Sequence, residues 1–244
     1  MPARESHTEL PSTQTEAVRR ARAGAPDGLR IVAEHQTAGR GRLDHTWASP
    51  PGGLYLSVVR RAPRAEPGLL SLAVGAGVAR AFADRYSIDL ELKWPNDLLV
   101  VRTGRPRKLG GILVDLVDSP NLGRAAVVGI GVNVAAPPPS FDPGLKERVV
   151  ALAELVAPAP TVAEVETIVG DAVDAGVARL DRPGGAEEVV AACRQRLFGR
   201  GRSATVDGFL HGVITTVGAD GGLWLTTPSG PVAVHAGELV VEEA

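Results

Sequence analysis

Four short segments carry side chains that could do chemistry together. Gln36-Thr37-Ala38-Gly39-Arg40-Gly41-Arg42 offers two glycines, whose backbone can approach a ligand closely, and two arginines, whose forked donors suit carboxylate or phosphate. Lys93-Trp94-Pro95-Asn96-Asp97 places two polar side chains where a strand should end, able to meet a base, a ribose or a metal-bound phosphate. Lys108-Leu109-Gly110-Gly111-Ile112-Leu113-Val114-Asp115 starts an apolar strand with a lysine, its charge focused by low-dielectric walls, and leaves space beside it at the two glycines. Val128-Gly129-Ile130-Gly131-Val132-Asn133-Val134 sets two glycines and one amide in an apolar run. Each segment also has a plainer reading: a solvated basic turn, an Asx turn beside a buried tryptophan, a surface lysine at a hairpin exit, and an asparagine satisfied by neighbouring backbone.

Composition narrows the chemistry. The chain has a formal net charge of -2, which gives no electrostatic footprint for nucleic acid. Its single cysteine, Cys193, excludes an internal disulfide and a Cys-based zinc site, and fits a reducing cytoplasmic compartment. Neither an apolar leader core nor a membrane-length apolar run is present, so no membrane association is expected. No G-x-x-x-x-G-K-[ST], G-x-S-x-G or H-E-x-x-H occurs, and neither Gly39-x-Gly41 nor Gly129-x-Gly131 extends to G-x-G-x-x-G. The histidines are dispersed. Positive charge is almost all arginine, which makes the three lysines, Lys93, Lys108 and Lys146, worth attention, because arginine does not always replace a compact ammonium.

Elements must position these residues. A helix is expected from Ser12 to about Ala23, with Thr13 and Glu16 at capping-box spacing, followed by a turn at Pro26-Asp27-Gly28. Strands are expected at Leu29 to Glu34 and Leu54 to Arg60, with a Gly/Arg/Pro-rich loop from Gln36 to Gly53 between them. Glu66 to Tyr86 reads as a buried helix whose Gly75 and Gly77 permit close packing. Strand-like runs follow at Leu90 to Trp94, Leu98 to Arg102, Leu109 to Val117 and Ala125 to Val134, with a hairpin turn at Thr103 to Arg107. Pro137 to Gly144 reads as a loop, and helices should fill most of the chain up to Leu197. Beyond Gly199 short strands alternate with glycine turns, the texture of a small β-barrel. The expected domains are therefore 1–197 and 198–244.

Taken in order, the four segments resemble the motifs of biotin protein ligases. Ser12-Thr13-Gln14 is similar to that family's Ser-Thr-Asn, and Ala236-Gly237-Glu238 to the Ala-Gly-Glu/Asp of its final barrel. The resemblance implies an α+β fold, with a mixed sheet and helices related to class II tRNA synthetases plus an SH3-like barrel. It implies formation of biotinyl-5′-AMP from biotin and ATP with Mg²⁺. Transfer to a lysine of a biotin carboxyl carrier domain, of acyl-CoA or pyruvate carboxylases, would follow. Carried over by residue, Ser12, Thr13, Gln14 and Gln36 line the biotin pocket. Arg40, Gly41 and Arg42 close over biotin and the adenylate, and Lys108 meets the biotin carboxylate and the α-phosphate. Arg42 and Lys108 are the catalytic pair, and Trp47, Asn96 and Asn133 form the adenine end. No direct metal ligand is implied. Thr37 to Trp47 should be mobile until ligand closes it, its composition offering few apolar contacts.

The sequence departs from the family pattern at Gln14, usually Asn, and at His45, where many members carry arginine. Eleven residues precede Ser12, too few for a helix-turn-helix, so the type without specific DNA binding is expected. A lipoate or octanoate ligase or transferase of related fold is the alternative enzyme. An RNA-binding module is the alternative of another class.

Overall fold

The computed structural model describes residues 3–102, 105–138 and 141–242. Its first element was not foreseen: β1 (Arg4–Leu10) is polar almost throughout, and pairs in parallel with β2 (Leu29–Gln36) at the edge of a sheet. Charge holds it there, because Arg4 meets Glu166 at 2.7 Å and Glu5 meets Arg20 at 2.8 Å.

α1 (Thr13–Arg22) starts one residue earlier than the expected capping box. Ser12 is the cap; its hydroxyl accepts from the Thr15 N–H. Glu16 pairs instead with Arg19 and Arg20. The consequence is positional: Thr13 and Gln14 enter the first helical turn with buried side chains.

β3 (Leu54–Arg61), α2 (Gly68–Tyr86), β4 (Glu91–Lys93), β5 (Asp97–Arg102), β6 (Arg105–Ser119) and β7 (Gly123–Val132) complete a seven-stranded sheet in the order β1-β2-β3-β7-β6-β5-β4. All pairs are antiparallel except β1 with β2. Part of the expected turn at Thr103 to Arg107 is strand, since β6 begins at Arg105; Thr103 and Gly104 lie outside the described residues. α3 (Pro143–Arg148) begins inside the expected loop, with Asp142 as its cap and proline at its first position; Pro139 and Ser140 lie outside the described residues. α4 (Val162–Leu180) carries the expected Thr161–Glu164 capping box, and α5 (Gly185–Gln195) follows.

One sheet face packs on α2, with α4 and α5 behind. Gly77 and Gly176 set the spacing: a Cβ on Gly77 would stand 3.1 Å from the Ala172 carbonyl, and one on Gly176 3.1 Å from the Ala73 backbone. Leu56, Val58, Ile112, Val128 and Ile130 face this core. The other face carries α1 over a smaller cluster of Ala17, Ala21, Ile31, Val59 and Val127. Beyond the N-terminus of α1 the same sheet carries the loop segment ending in Trp47 and the side chains of the site.

β8 (Ser203–Val206), β9 (Leu210–Val217), β10 (Leu223–Thr227), β11 (Gly230–Val234) and β12 (Leu239–Val241) form a separate antiparallel sheet in the order β11-β10-β9-β8-β12. The α+β architecture, a mixed sheet with helices and a small C-terminal antiparallel sheet, is the one expected. Among the described residues no helix is long and apolar enough to cross a membrane.

Candidate functional site

The floor of the site is a row of side chains on the sheet face that carries α1. Strand pairing sets Tyr55 and Ser57 of β3 opposite Gly131 and Gly129 of β7, and these opposite Gly111 and Leu113 of β6, with Asp97 of β5 beyond Gly111. Because side chains alternate along a strand, glycine at 129 and 131 clears one face while Ile130 and Val128 fill the other. The cleared space is used. A Cβ on Gly131 would stand 2.6 Å from the Trp47 indole, and one on Gly129 would collide with the Gln14 amide.

Trp47 comes from the arginine loop, which is a folded hairpin. Gly41 N–H donates to the His45 carbonyl, Trp47 N–H to the Gly39 carbonyl, and Arg40 bridges Thr46. Leu43 and Asp44 turn the chain, both with positive φ. The loop has more apolar contact than its composition suggests, because its final tryptophan lies on the glycine floor.

The two arginines part. Arg40 reaches Asp115, Nη1 to Oδ2 at 3.3 Å. Arg42 turns the other way and donates to Asn96 Oδ1 and the Gly237 carbonyl, both at 3.4 Å. Burial lowers the Arg42 pKa, with Asp97 and Asp207 opposing. Lys108 Nζ lies 2.6 Å from Asp97 Oδ1 and 5.3 Å from the centre of the Trp47 ring, a cation–π distance. Burial also lowers Lys93, which shares the field of Asp97 and Lys108. Arg42, Lys108, Asn96 and Trp47 are thus brought to one place.

Both asparagines prove to be braces. Asn96 Nδ2 donates to the Ile112 carbonyl while its Oδ1 accepts from Arg42. Asn133 Nδ2 donates to the carbonyls of Lys108 and Val150, so it holds the Lys108 backbone in the manner of the plainer reading above. Asn133 also lines an apolar cleft with Pro50, Tyr55, Ala136, Phe141 and Val149.

Ser12, Thr13 and Gln14, all buried, and the half-buried Gln36 form a second polar group. Gln36 Oε1 accepts from the Thr13 N–H at 2.8 Å, and its Nε2 donates to Ser49 Oγ at 2.8 Å. Ser57 Oγ lies 3.0 Å from both Thr13 Oγ1 and Gln14 Oε1. Ser57, Ser49 and Asp115 were not assigned roles from sequence. A serine within Leu-Tyr-Leu-Ser-Val-Val carried a usable signal, because a buried hydroxyl requires a partner.

The five-stranded sheet braces this end of the site. Trp94 Nε1 donates to the Gly221 carbonyl at 3.0 Å, and Gly237 receives Arg42. Gly41 contributes spacing: a Cβ there would stand 3.0 Å from the His45 carbonyl. Among the described residues no group of three or more metal-ligating side chains gathers.

The defining pattern of the biotin/lipoate A/B protein ligase family matches residues 6–133. The bifunctional ligase/repressor BirA of Bacillus subtilis is 34% identical over 151 residues, 61% of this chain and 45% of that protein. The biotin–[acetyl-CoA-carboxylase] ligase of Mycobacterium tuberculosis is 39% identical over 140 residues, 54% of this chain and 49% of that protein. The chain thus spans about half the length of the curated relatives it matches. The biotin protein ligase of Aquifex aeolicus, solved in complex with biotin and ATP, superposes with a TM-score of 0.83 at 25% identity, covering 100% of both chains. A motif set in the right order, a matching family pattern over half the chain and a full-length structural likeness agree: the chain belongs to the biotin/lipoate A/B protein ligase family.

Proposed function

We propose that this chain is an ATP-dependent ligase that joins biotin to AMP and passes the biotinyl group to a lysine of a biotin carboxyl carrier domain. The supporting observation is the convergence of Lys108 and Trp47 on a glycine floor, with Arg42 held beside them by Asn96, next to the polar cluster of Ser12, Thr13, Gln14 and Gln36.

Two anions must meet for the first step. A carboxylate is a weak nucleophile, and the triphosphate of ATP repels it. Arg42, held by Asn96, and Lys108, held by Asp97, would offset that repulsion and stabilise the charge that grows on the α-phosphate during attack. The carboxylate oxygen bonds to the α-phosphorus as the bond to the β-phosphate oxygen breaks, releasing pyrophosphate. A lysine amine of the acceptor then attacks the anhydride carbonyl and AMP departs. Trp47 and the cleft of Tyr55, Asn133 and Phe141 offer an apolar bed for adenine. Mg²⁺ keeps most of its waters and asks for one or two carboxylates besides substrate phosphates. Asp97, whose Oδ1 is paired with Lys108, would offer that ion its other carboxylate oxygen, and the ion would neutralise phosphate charge.

Residues 1–197 would carry this chemistry, with 198–244 holding Trp94 and Arg42 in place. The acceptor would belong to an acyl-CoA or pyruvate carboxylase; the Mycobacterium tuberculosis and Paracoccus denitrificans relatives are named for acetyl-CoA carboxylase. ATP–pyrophosphate exchange tests the activity. Exchange that requires biotin and is not supported by lipoate or octanoate is expected. Exchange supported by lipoate and not by biotin would move the chain to the other branch of its family.

A further inference from the structure

The arginine loop and the polar cluster are joined by one chain of hydrogen bonds, and a carboxylate stands at its head. Asp115 Oδ2 accepts from Arg40 Nη1 on one side and from Gln14 Nε2, at 3.0 Å, on the other. Gln14 Nε2 gives its second hydrogen to the Val127 carbonyl. Both partners of that amide nitrogen are acceptors only, so Gln14 Oε1 must face Ser57. Ser57 has one hydroxyl hydrogen, and Gln14 Oε1 claims it. The Thr13 hydroxyl then supplies the hydrogen of its 3.0 Å contact with Ser57 Oγ, and Gln36 Oε1 accepts from the Thr13 backbone N–H, which fixes the orientation of the Gln36 amide. Gln36 Nε2 donates to Ser49, and Ser49 donates to the Trp47 carbonyl at 3.1 Å. The circuit leaves the loop at Arg40, crosses the pocket floor and returns to the loop at Trp47.

We propose that Asp115 is a positioning residue for substrate recognition, tying Arg40 to the pocket floor and fixing Gln14 so that it offers substrate an acceptor and no donor. This deepens the biotin reading and rests on it. With both amide hydrogens spent, Gln14 retains only the second lone pair of Oε1. A cyclic urea supplies an N–H to that lone pair; a dithiolane ring has none to give. The side chain at 115 therefore bears on the choice of substrate although it lies on the strand beyond Gly111 and Leu113, away from the Lys108 end. The Arg40 and Asp115 side chains are both partly exposed, so breaking their ion pair should leave the fold intact.

Two substitutions separate its two contacts. Asp115→Asn keeps an acceptor for Gln14 and removes the charge that holds Arg40. Asp115→Ala removes both and leaves a buried Gln14 N–H without a partner. In biotin-dependent ATP–pyrophosphate exchange, KM for biotin should rise about threefold in Asp115→Asn and about tenfold or more in Asp115→Ala, with kcat within about twofold and KM for ATP unchanged. Arg40→Gln combined with Asp115→Asn should be no worse than Arg40→Gln alone, because both break one contact. A biotin KM within about twofold of wild type in Asp115→Ala, or a fall in kcat at unchanged KM, overturns the proposal. A second readout does not depend on biotin being the substrate: trypsin cleavage after Arg40 and Arg42, mapped by mass spectrometry, should be faster in Asp115→Asn than in wild type with no ligand added. Equal cleavage overturns the tie to Arg40 even if the wild type uses biotin. Absence of any biotin-dependent exchange in the wild type, with the cleavage difference present, sinks the biotin reading and leaves the tie standing.

Discussion

The two faces of the seven-stranded sheet are built from the same residues read alternately. Along β7, Val128, Ile130 and Val132 point into the aliphatic core, while Gly129 and Gly131 open the opposite side. Along β3, Leu54, Leu56 and Val58 belong to that core, while Tyr55 and Ser57 belong to the site. One face gains stability from burying every side chain it has. The other forgoes side chains at its centre, filling the space with a tryptophan from a loop and amides from a helix start. Stability and chemistry are thus separated by the period of a strand, and substitutions one residue apart should have different consequences.

The largest effect is expected on the open face. Lys108→Ala should lower the rate of adenylate formation by about 10²–10³-fold, the usual cost of removing one group aimed at developing charge. Biotin binding should fall far less, as measured by equilibrium dialysis beside single-turnover kinetics. Lys108→Arg should not restore the rate. The compact ammonium lies against Asp97 and the Trp47 ring, a placement that a broad planar fork does not reproduce.

The buried face should respond in the opposite way. Leu56→Ala empties space in the core and should cost about 2–5 kcal/mol in urea unfolding, with biotin affinity retained at low temperature. If affinity falls in step with stability, the two faces are not independent.

Gly131→Ala divides them most finely. A Cβ in a strand normally helps, because glycine loses more entropy on folding. Here the added carbon meets the Trp47 indole at 2.6 Å. The melting temperature should hold or rise while KM for ATP rises about tenfold, equivalent to about 1.4 kcal/mol. Ile130→Val, its neighbour on the other face, should cost about 0.5–1.5 kcal/mol and leave KM alone.

What was legible in the sequence follows the same division. Apolar runs announced β2, β3, α2, β6 and β7, since a strand or helix buried on a hydrophobic core must show it locally. β1 stayed hidden because its partners are charges: Arg4 is matched by Glu166 and Glu5 by Arg20, contacts that no local period contains. The four motifs were visible, and the structure draws Arg42, Lys108, Asn96 and Trp47 together. Their division of labour was not visible. Gln14 and Asp115 are 101 positions apart, and only the register of β3, β7 and β6 brings them within reach. Asn133, set by the resemblance at the adenine end, gives its Nδ2 hydrogens to backbone carbonyls, a tie that depends on where Val150 returns.

The smallest effect concerns Cys193, the one thiol. It is buried under α2 against the Leu72 carbonyl, and burial pushes its pKa up to about 12. Because the thiolate is the reactive form, a maleimide at neutral pH should leave the native protein unlabelled and label it only after unfolding. Rapid native labelling would mean that the α2–α5 packing opens.

The account depends most on the open face being a site for activating biotin. The direct measurement is covalent transfer: wild-type protein and Lys108→Ala are each incubated with biotin, Mg²⁺, ATP and a purified biotin carboxyl carrier domain, and the domain is read by mass spectrometry. The account predicts one biotinyl group on one lysine with the wild type, AMP released in equal amount, and an unmodified domain with Lys108→Ala. An unmodified domain with the wild type, or equal labelling by both proteins, would contradict it.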